Sequence, residues 1–318
     1  MTQDFILEHG MLRVGSRESE LAVVQARHVM SLLQKAHPEL HITLSTCKTL
    51  GDQALEKDLA KMGAKGVFVK ELEDALLKDN IDIAVHSMKD MPGELPVGLA
   101  MQSAGQREDV RDAIISKLGS GLMKLPPQAV IGTSSTRRIA QLRRIRPDLD
   151  YKIIRGNVQT RYAKLMEARG EYDAIVLAAA GLRRLGWADR ISEYLDAEND
   201  HIPAAGQGIL AVEYRQDDER TAAILSKLVH KPTETAMLAE RILLRKLEGG
   251  CSLPLGAYAW HDAAMSIYRM KAMLIAPDGT QLITGERSFQ ANRAKDAGLD
   301  LANELLTHGG KEMLKTLR

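Results

Sequence analysis

Cysteine is scarce: Cys47 and Cys251 are the only two among 318 residues. They cannot build a disulfide framework, and no C-x-x-C spacing offers a metal site. Aromatic residues make up only 4%, which leaves few rings to stack on unpaired bases. Neither sign of charge dominates, because 43 Lys and Arg face 42 Asp and Glu for a formal net charge of +1. Nucleic-acid binding would have to rest on a local patch such as Arg143-Arg144-Ile145-Arg146. No apolar run reaches the ~18 residues that suggest a membrane span. Met1 to Gly10 carries acidic residues and no apolar h-region, which argues against a secretory signal. Neither a G-x-x-x-x-G-K-[ST] loop nor a G-x-G-x-x-G fingerprint is present. The expectation is a cytoplasmic protein with reduced thiols, by default a monomer, with no metal and no nucleic-acid or membrane partner.

What is present is an alternation of strands and helices. Met11–Val14 reads as a strand, Gly15-Ser16-Arg17 as a turn, and Ser19 as the N-cap of a helix that His37-Pro38 stops. His41–Thr46 is a second strand, Val67–Leu77 an amphipathic helix, and Ile81–Val85 a strand ending in His86-Ser87-Met88-Lys89-Asp90. The pattern restarts with a strand at Ala129–Ile131 and a helix capped by Ser134 or Ser135. A strand at Lys152–Ile154 precedes a helix capped by Asn157, and a strand at Asp173–Leu177 precedes a helical stretch around Gly181–Leu185. Such alternation predicts two α/β domains with mainly parallel sheets facing a cleft. The strand Ile209–Tyr214 could belong to either. Beyond a helix over Thr235–Leu247, alternating segments at Ser266–Ile275 and Gln281–Phe289 and a helix over Ala294–Thr307 predict a small α+β C-terminal domain.

Arginine stands in places that a helix dipole disfavours. Arg17 precedes the cap Ser19, Arg137 and Arg138 fill the first turn after Ser135, and Arg155 and Arg161 flank the cap Asn157. A cation at a helix N-terminus costs a few tenths to about one kcal/mol, whereas free N–H groups there bind anions. Each arginine alone is explained by a nearby Asp or Glu; three turns breaching the rule together point to a polyanionic ligand at the strand ends. With no phosphate loop, carboxylates are favoured. Asp90, at the end of an apolar strand, suits acid/base work or stabilisation of a cation, or is a plain turn residue. His86 reads as a structural, hydrogen-bonded histidine. Cys251 follows Gly249-Gly250, a loop that can expose a nucleophilic or anchoring thiol; filling a gap is the equal alternative. Cys47, within a strand, reads as inert. The basic loop Lys61-Met62-Gly63-Ala64-Lys65-Gly66 is either a lid or a solvated connection.

These residues also carry a resemblance. Gly15-Ser16-Arg17-Glu18-Ser19-Glu20-Leu21-Ala22, Lys65-Gly66-Val67-Phe68-Val69-Lys70-Glu71 and Asp82 through Asp90 resemble motifs of the porphobilinogen deaminase family. So do Arg107-Glu108-Asp109, Gly132-Thr133-Ser134-Ser135, Arg155-Gly156-Asn157, Gly206-Gln207-Gly208 and Glu248-Gly249-Gly250-Cys251, in order along nearly the whole chain. The resemblance implies two periplasmic-binding-protein-like domains, 1–105 with 206–228 and 106–205, and a third at 229–318. It implies a dipyrromethane cofactor joined to Cys251 by a thioether, and porphobilinogen as substrate. Asp90 would be catalytic, stabilising the cation left when porphobilinogen loses ammonia; four additions and one hydrolysis would release 1-hydroxymethylbilane. Ser19, Lys89, Asp90, Ser135, Arg137, Arg138, Arg155 and Arg161 would hold the cofactor. Arg17, Ser19, Arg155 and Arg184 would hold the substrate, and Lys61, Lys65 and Phe68 match lid positions. Thr136, Ala64, Ala205, Ser252 and Val67 depart from the family pattern, and none removes a charged or nucleophilic group.

Two other classes fit parts of the pattern. A non-catalytic two-lobed carboxylate-binding protein would share the fold but has no use for the Gly-Gly-Cys loop. A nucleic-acid-binding regulator would use the Arg143–Arg146 patch, against a near-neutral charge and few aromatics.

Overall fold

The computed structural model describes residues 10–48, 69–198, 201–247 and 254–316. The chain forms two compact units, one from residues 1–107 and 209–234, the other from 108–208 and 235–318.

The first unit holds a five-stranded sheet in the order β2-β1-β3-β10-β4. β1 (Met11–Arg17) pairs in parallel with β2 (His41–Cys47) and β3 (Ile83–Ser87). β10 (Leu210–Arg215) lies antiparallel between β3 and β4 (Leu99–Ser103). The strand left open by sequence therefore belongs here. Leu12, Val14, Ile83, Val85, Leu210 and Val212 share one buried face with Val29 and Leu33 of α1 (Glu20–Ala36). Burying such a side chain fully is worth about 1.5–3 kcal/mol. The other face carries Ala84 under Leu72 and Leu76 of α2 (Lys70–Leu77). Gly15-Ser16-Arg17 continues β1 rather than turning, in register with Ser45, Thr46 and Cys47. A side chain at Gly15 would run into Ile81 and Leu72, so glycine here serves a close approach, not a turn.

The second unit holds two sheets. One has the order β7-β6-β8-β5-β9. β6 (Val130–Gly132) is parallel to β7 (Asp150–Lys152) and β8 (Ala174–Ala178), while β5 (Asp112–Ser116) is antiparallel to β8 and to β9 (Glu193–Tyr194). The two five-stranded sheets thus repeat one plan: three parallel strands, then an antiparallel return. Helices α3 (Thr136–Ile145), α4 (Val158–Met166) and α5 (Ala179–Arg184) follow β6, β7 and β8. After α6 (Glu219–Ser226) of the first unit, α7 (Lys231–Leu247) leads into an antiparallel sheet of β11 (Leu255–Asp262), β12 (Ile267–Ile275) and β13 (Leu282–Phe289). That sheet has its own core with α7 and α8 (Ala294–Leu305). Gly298 of α8 faces the Ala239 carbonyl of α7 too closely for any side chain.

Candidate active site

In the first unit, the ends of β1 and β3 bring up the expected groups. Arg17 is the last residue of β1 and half-buried. Ser19 caps α1, its Oγ accepting from the Ala22 N–H at 3.4 Å. β3 runs into a single 3₁₀ turn, Met88–Asp90. Met88 is buried and its N–H donates to the Ile209 carbonyl at 3.0 Å, which pins the turn. Lys89 is half-buried and Asp90 exposed. The Asp90 carboxylate has no hydrogen-bond or ion-pair partner among the described residues. Gln25 joins this end of the strand through its Nε2, 2.9 Å from Ser87 Oγ, a contact that helical periodicity could not reveal. His86 is buried, with Nε2 3.2 Å from Glu213 Oε2 but without the hydrogen bond expected of it there.

In the second unit, Asn157 caps α4 by accepting from the Thr160 N–H at 2.8 Å. Gly156 precedes it at φ +114°, a conformation that favours glycine. Arg161 turns back to donate Nε to the Gly156 carbonyl at 2.8 Å. Arg155 is half-buried, and its guanidinium has no partner among the described residues. Ser135, rather than Ser134, caps α3 by accepting from the Arg138 N–H at 3.4 Å. Arg184 donates Nη2 to the Gly208 carbonyl at 2.8 Å. Burial lowers its pKa to about 10, with Glu108 pulling the other way.

Arg137 and Arg138, expected at the start of α3, meet an anion of the protein itself. Both are buried and both grip Asp112, through Arg137 Nη2 at 2.7 Å and Arg138 Nη2 at 2.6 Å. Their remaining contacts are to the Ile202 and Val176 carbonyls, at 2.8 and 2.9 Å. Their anion is an internal carboxylate 25 and 26 residues away in sequence. Burial alone would raise the Asp112 pKa, but the Arg137 and Arg138 charges outweigh it and hold the carboxyl well below its ordinary range. Asp112 carries no sequence signal, since it opens a strand that periodicity did not mark.

Lys61, Lys65, Phe68 and Cys251 lie outside the described residues. Cys47 sits half-buried in β2 and is in no disulfide among the described residues. Among the described residues no group of His, Cys, Asp and Glu is placed to hold a metal ion. No helix among them is long and apolar enough to cross a membrane.

The fold is that of a protein with two mixed α/β units, and each carries a charged side chain without a partner among the described residues, Asp90 in the first and Arg155 in the second. Residues 12–223 match the family model described as porphobilinogen deaminase, dipyromethane cofactor binding domain, and residues 235–307 match the porphobilinogen deaminase C-terminal domain. The chain belongs to the porphobilinogen deaminase family. Its activity is that of a hydroxymethylbilane synthase, a transferase of tetrapyrrole (heme) biosynthesis that uses a dipyrromethane cofactor. It deaminates four porphobilinogen molecules and joins them head to tail, which replaces the alternative of a non-catalytic receptor.

Solved structures similar to the chain include the Bordetella pertussis BvgS periplasmic VFT2 domain, at 17% identity over 71% of this chain and 90% of that one, TM-score 0.42. The methionine binding protein MetQ follows at 14% over 69% and 90%, TM-score 0.44. A Salmonella typhimurium periplasmic binding protein described for high arginine specificity matches at 12% over 69% and 92%, TM-score 0.41.

The residues present suit the cofactor by their chemistry. A dipyrromethane offers pyrrole N–H donors and acidic side chains. A carboxylate without a partner among the described residues, such as Asp90, suits the former, and a guanidinium likewise without one, such as Arg155, suits the latter.

Proposed function

We propose that Asp90 is the catalytic carboxylate and that the arginines at the strand ends hold the acidic side chains of substrate and cofactor. The observation that carries this reading is the Asp90 carboxylate itself: exposed, unpartnered among the described residues, and mounted on a turn anchored by buried Met88. A fixed carboxylate stabilises the cation formed as porphobilinogen loses ammonia more than it stabilises the bound substrate, so it raises the chemical rate. Lys89 and Ser19 of the first unit and Ser135 of the second add hydrogen bonds. Arg17, Arg155, Arg161 and Arg184 bind carboxylates, Arg155 with a planar fork that matches them. Arg137 and Arg138, held by Asp112 at the first turn of α3, add positive charge for the cofactor's acidic side chains. When bound, the dipyrromethane supplies the nucleophilic carbon to which the first substrate unit is joined.

Cys251 anchors the cofactor by a thioether, and Lys61, Lys65 and Phe68 belong to a lid over the substrate. Residues 1–105 with 206–228 act as the catalytic domain, 106–205 as the carboxylate-binding domain, and 229–318 as the cofactor-carrying domain. The protein works as a cytoplasmic monomer with no nucleic-acid or membrane partner; two cysteines in 318 residues suit a reducing compartment.

Intact mass and peptide mapping of the purified protein test the anchor. An added mass of two pyrrole units on Cys251 is expected. Active enzyme with an unmodified Cys251 would overturn the assignment. Cys47→Ser should leave turnover within about twofold, since no chemistry depends on this thiol.

A further inference from the structure

Asp112 collects more donors than any single function assigned above requires. It opens β5 opposite Ala178 of β8 and is fully buried. Its Oδ1 accepts from Arg138 Nε at 2.9 Å and Nη2 at 2.6 Å, and from Gln207 Nε2 at 2.9 Å. Its Oδ2 accepts from Arg137 Nη2 at 2.7 Å and lies 2.8 Å from His201 Nε2. His201 Nδ1 has no hydrogen-bond partner among the described residues. The ring is therefore neutral, with its proton on Nε2 directed at Asp112.

We propose that Asp112 is a positioning residue for the carboxylate-binding groups of the second unit, acting on Ser135 through Arg137 and Arg138 and on Arg184 through His201 and Gln207. The inference rests on the reading of Arg184 as a substrate ligand. One arm of the network fixes the first turn of α3, whose cap is Ser135. The other fixes residues 201–208. His201 and Gln207 tie this segment to Asp112, and Ile202 ties it to α3 through Arg137 Nη1 at 2.8 Å and Gln141 Nε2 at 3.1 Å. The segment ends at Gly208, whose carbonyl accepts from both Arg184 Nη2 at 2.8 Å and the Glu108 N–H at 3.1 Å. A guanidinium resting on a backbone carbonyl points wherever that carbonyl is held. Two arginines against one carboxylate also leave a buried net positive charge behind the cap of α3, which favours an anion in front of it.

The test compares Asp112→Asn, His201→Leu and Arg184→Gln as cofactor-loaded holoenzymes, with cofactor content read by Ehrlich's reagent and folding by thermal melting. Asp112→Asn should raise KM for porphobilinogen about tenfold, while single-turnover ammonia release at saturating substrate falls by less than about threefold. Asp90, in the other unit, is untouched by this change. His201→Leu keeps both arginines on Asp112 and should raise KM about threefold; it carries the test if Asp112→Asn does not fold. Lower melting temperatures with wild-type KM in whichever Asp112 or His201 variants fold, while Arg184→Gln raises KM, would reduce Asp112 to a fold-stabilising residue and overturn the proposal. Wild-type KM in all three variants would overturn the Arg184 reading beneath it as well.

Discussion

His86 Nε2 lies 3.2 Å from Glu213 Oε2, and both side chains are closed off from solvent. They occupy the face of the first sheet that α2 covers, and α2 adds a third buried ionisable group, Glu73. Burial, then repulsion from Glu213 and Asp74, pushes the Glu73 pKa up to about 7 against the pull of Lys70. The folded protein thus keeps a proton that the unfolded chain releases near 4.5.

The stability tied to Glu73 is fully present below that ordinary value and lost as pH rises through about 7. Glu73→Gln cannot ionise and should escape the loss. Its melting temperature should exceed wild type by about 2–4 °C at pH 8 and match it near pH 4.5, the scale of roughly one kcal/mol in a protein of this size. Equal melting curves for the two proteins at pH 8 would show that the fold does not raise the Glu73 pKa.

His201 works in the opposite direction. Burial, with Arg137 and Arg138 adding to it against Asp112, lowers its pKa below 6.5. The unfolded chain therefore takes up a proton near 6.5 that the folded protein refuses, and stability falls as pH drops below that value. Asp112 stays ionised across this window. His201→Gln keeps a donor for Asp112 but does not titrate. It should lose about 2–4 °C less than wild type between pH 7 and pH 5, a difference that calorimetry at the two pH values would detect.

Asp90→Asn keeps size and removes charge. Single-turnover ammonia release by cofactor-loaded protein should fall about a hundredfold or more, the scale of losing one strong electrostatic group. Asp90→Glu should retain more activity than Asn, and KM should move little because the arginines remain. If Asn released ammonia at the wild-type rate, Asp90 would be a turn residue and the catalytic carboxylate would lie elsewhere.

Arg155→Leu should leave the melting temperature within about 2 °C of wild type, since a half-buried guanidinium with no partner among the described residues contributes little to the fold. Substrate use should suffer by about tenfold or more in kcat/KM, and Arg155→Lys should also be impaired because lysine lacks the bidentate fork. Wild-type kinetics in both variants would leave Arg155 as a surface charge.

Helix starts were legible in sequence because capping is local. Ser19, Ser135 and Asn157 each bond to an N–H three residues on, a span that motif reading covers. The turn carrying Asp90 was legible because an apolar strand stops at a polar run before Pro92. Strands with weak alternation were not: Leu99–Ser103 and Asp112–Ser116 went unmarked, and the strand read at Lys152–Ile154 lies at Asp150–Lys152. Asp112–Ser116, buried between β8 and β9, needs no two-residue alternation, because both of its faces are covered.

The sequence by itself determined the alternation of elements, the capped helix starts and the ordered motifs that mark the family. Only the tertiary structure decided which anion each arginine meets. Arg137 and Arg155 both stand near helix starts in sequence, yet one is sealed onto Asp112 and the other has no partner among the described residues. That choice depends on β5 returning antiparallel beside β8, which brings a carboxylate from 25 residues away under the first turn of α3. A guanidinium binds the nearest well-placed carboxylate in space, and nearness in space between distant segments is a property of the packed sheet, not of local sequence.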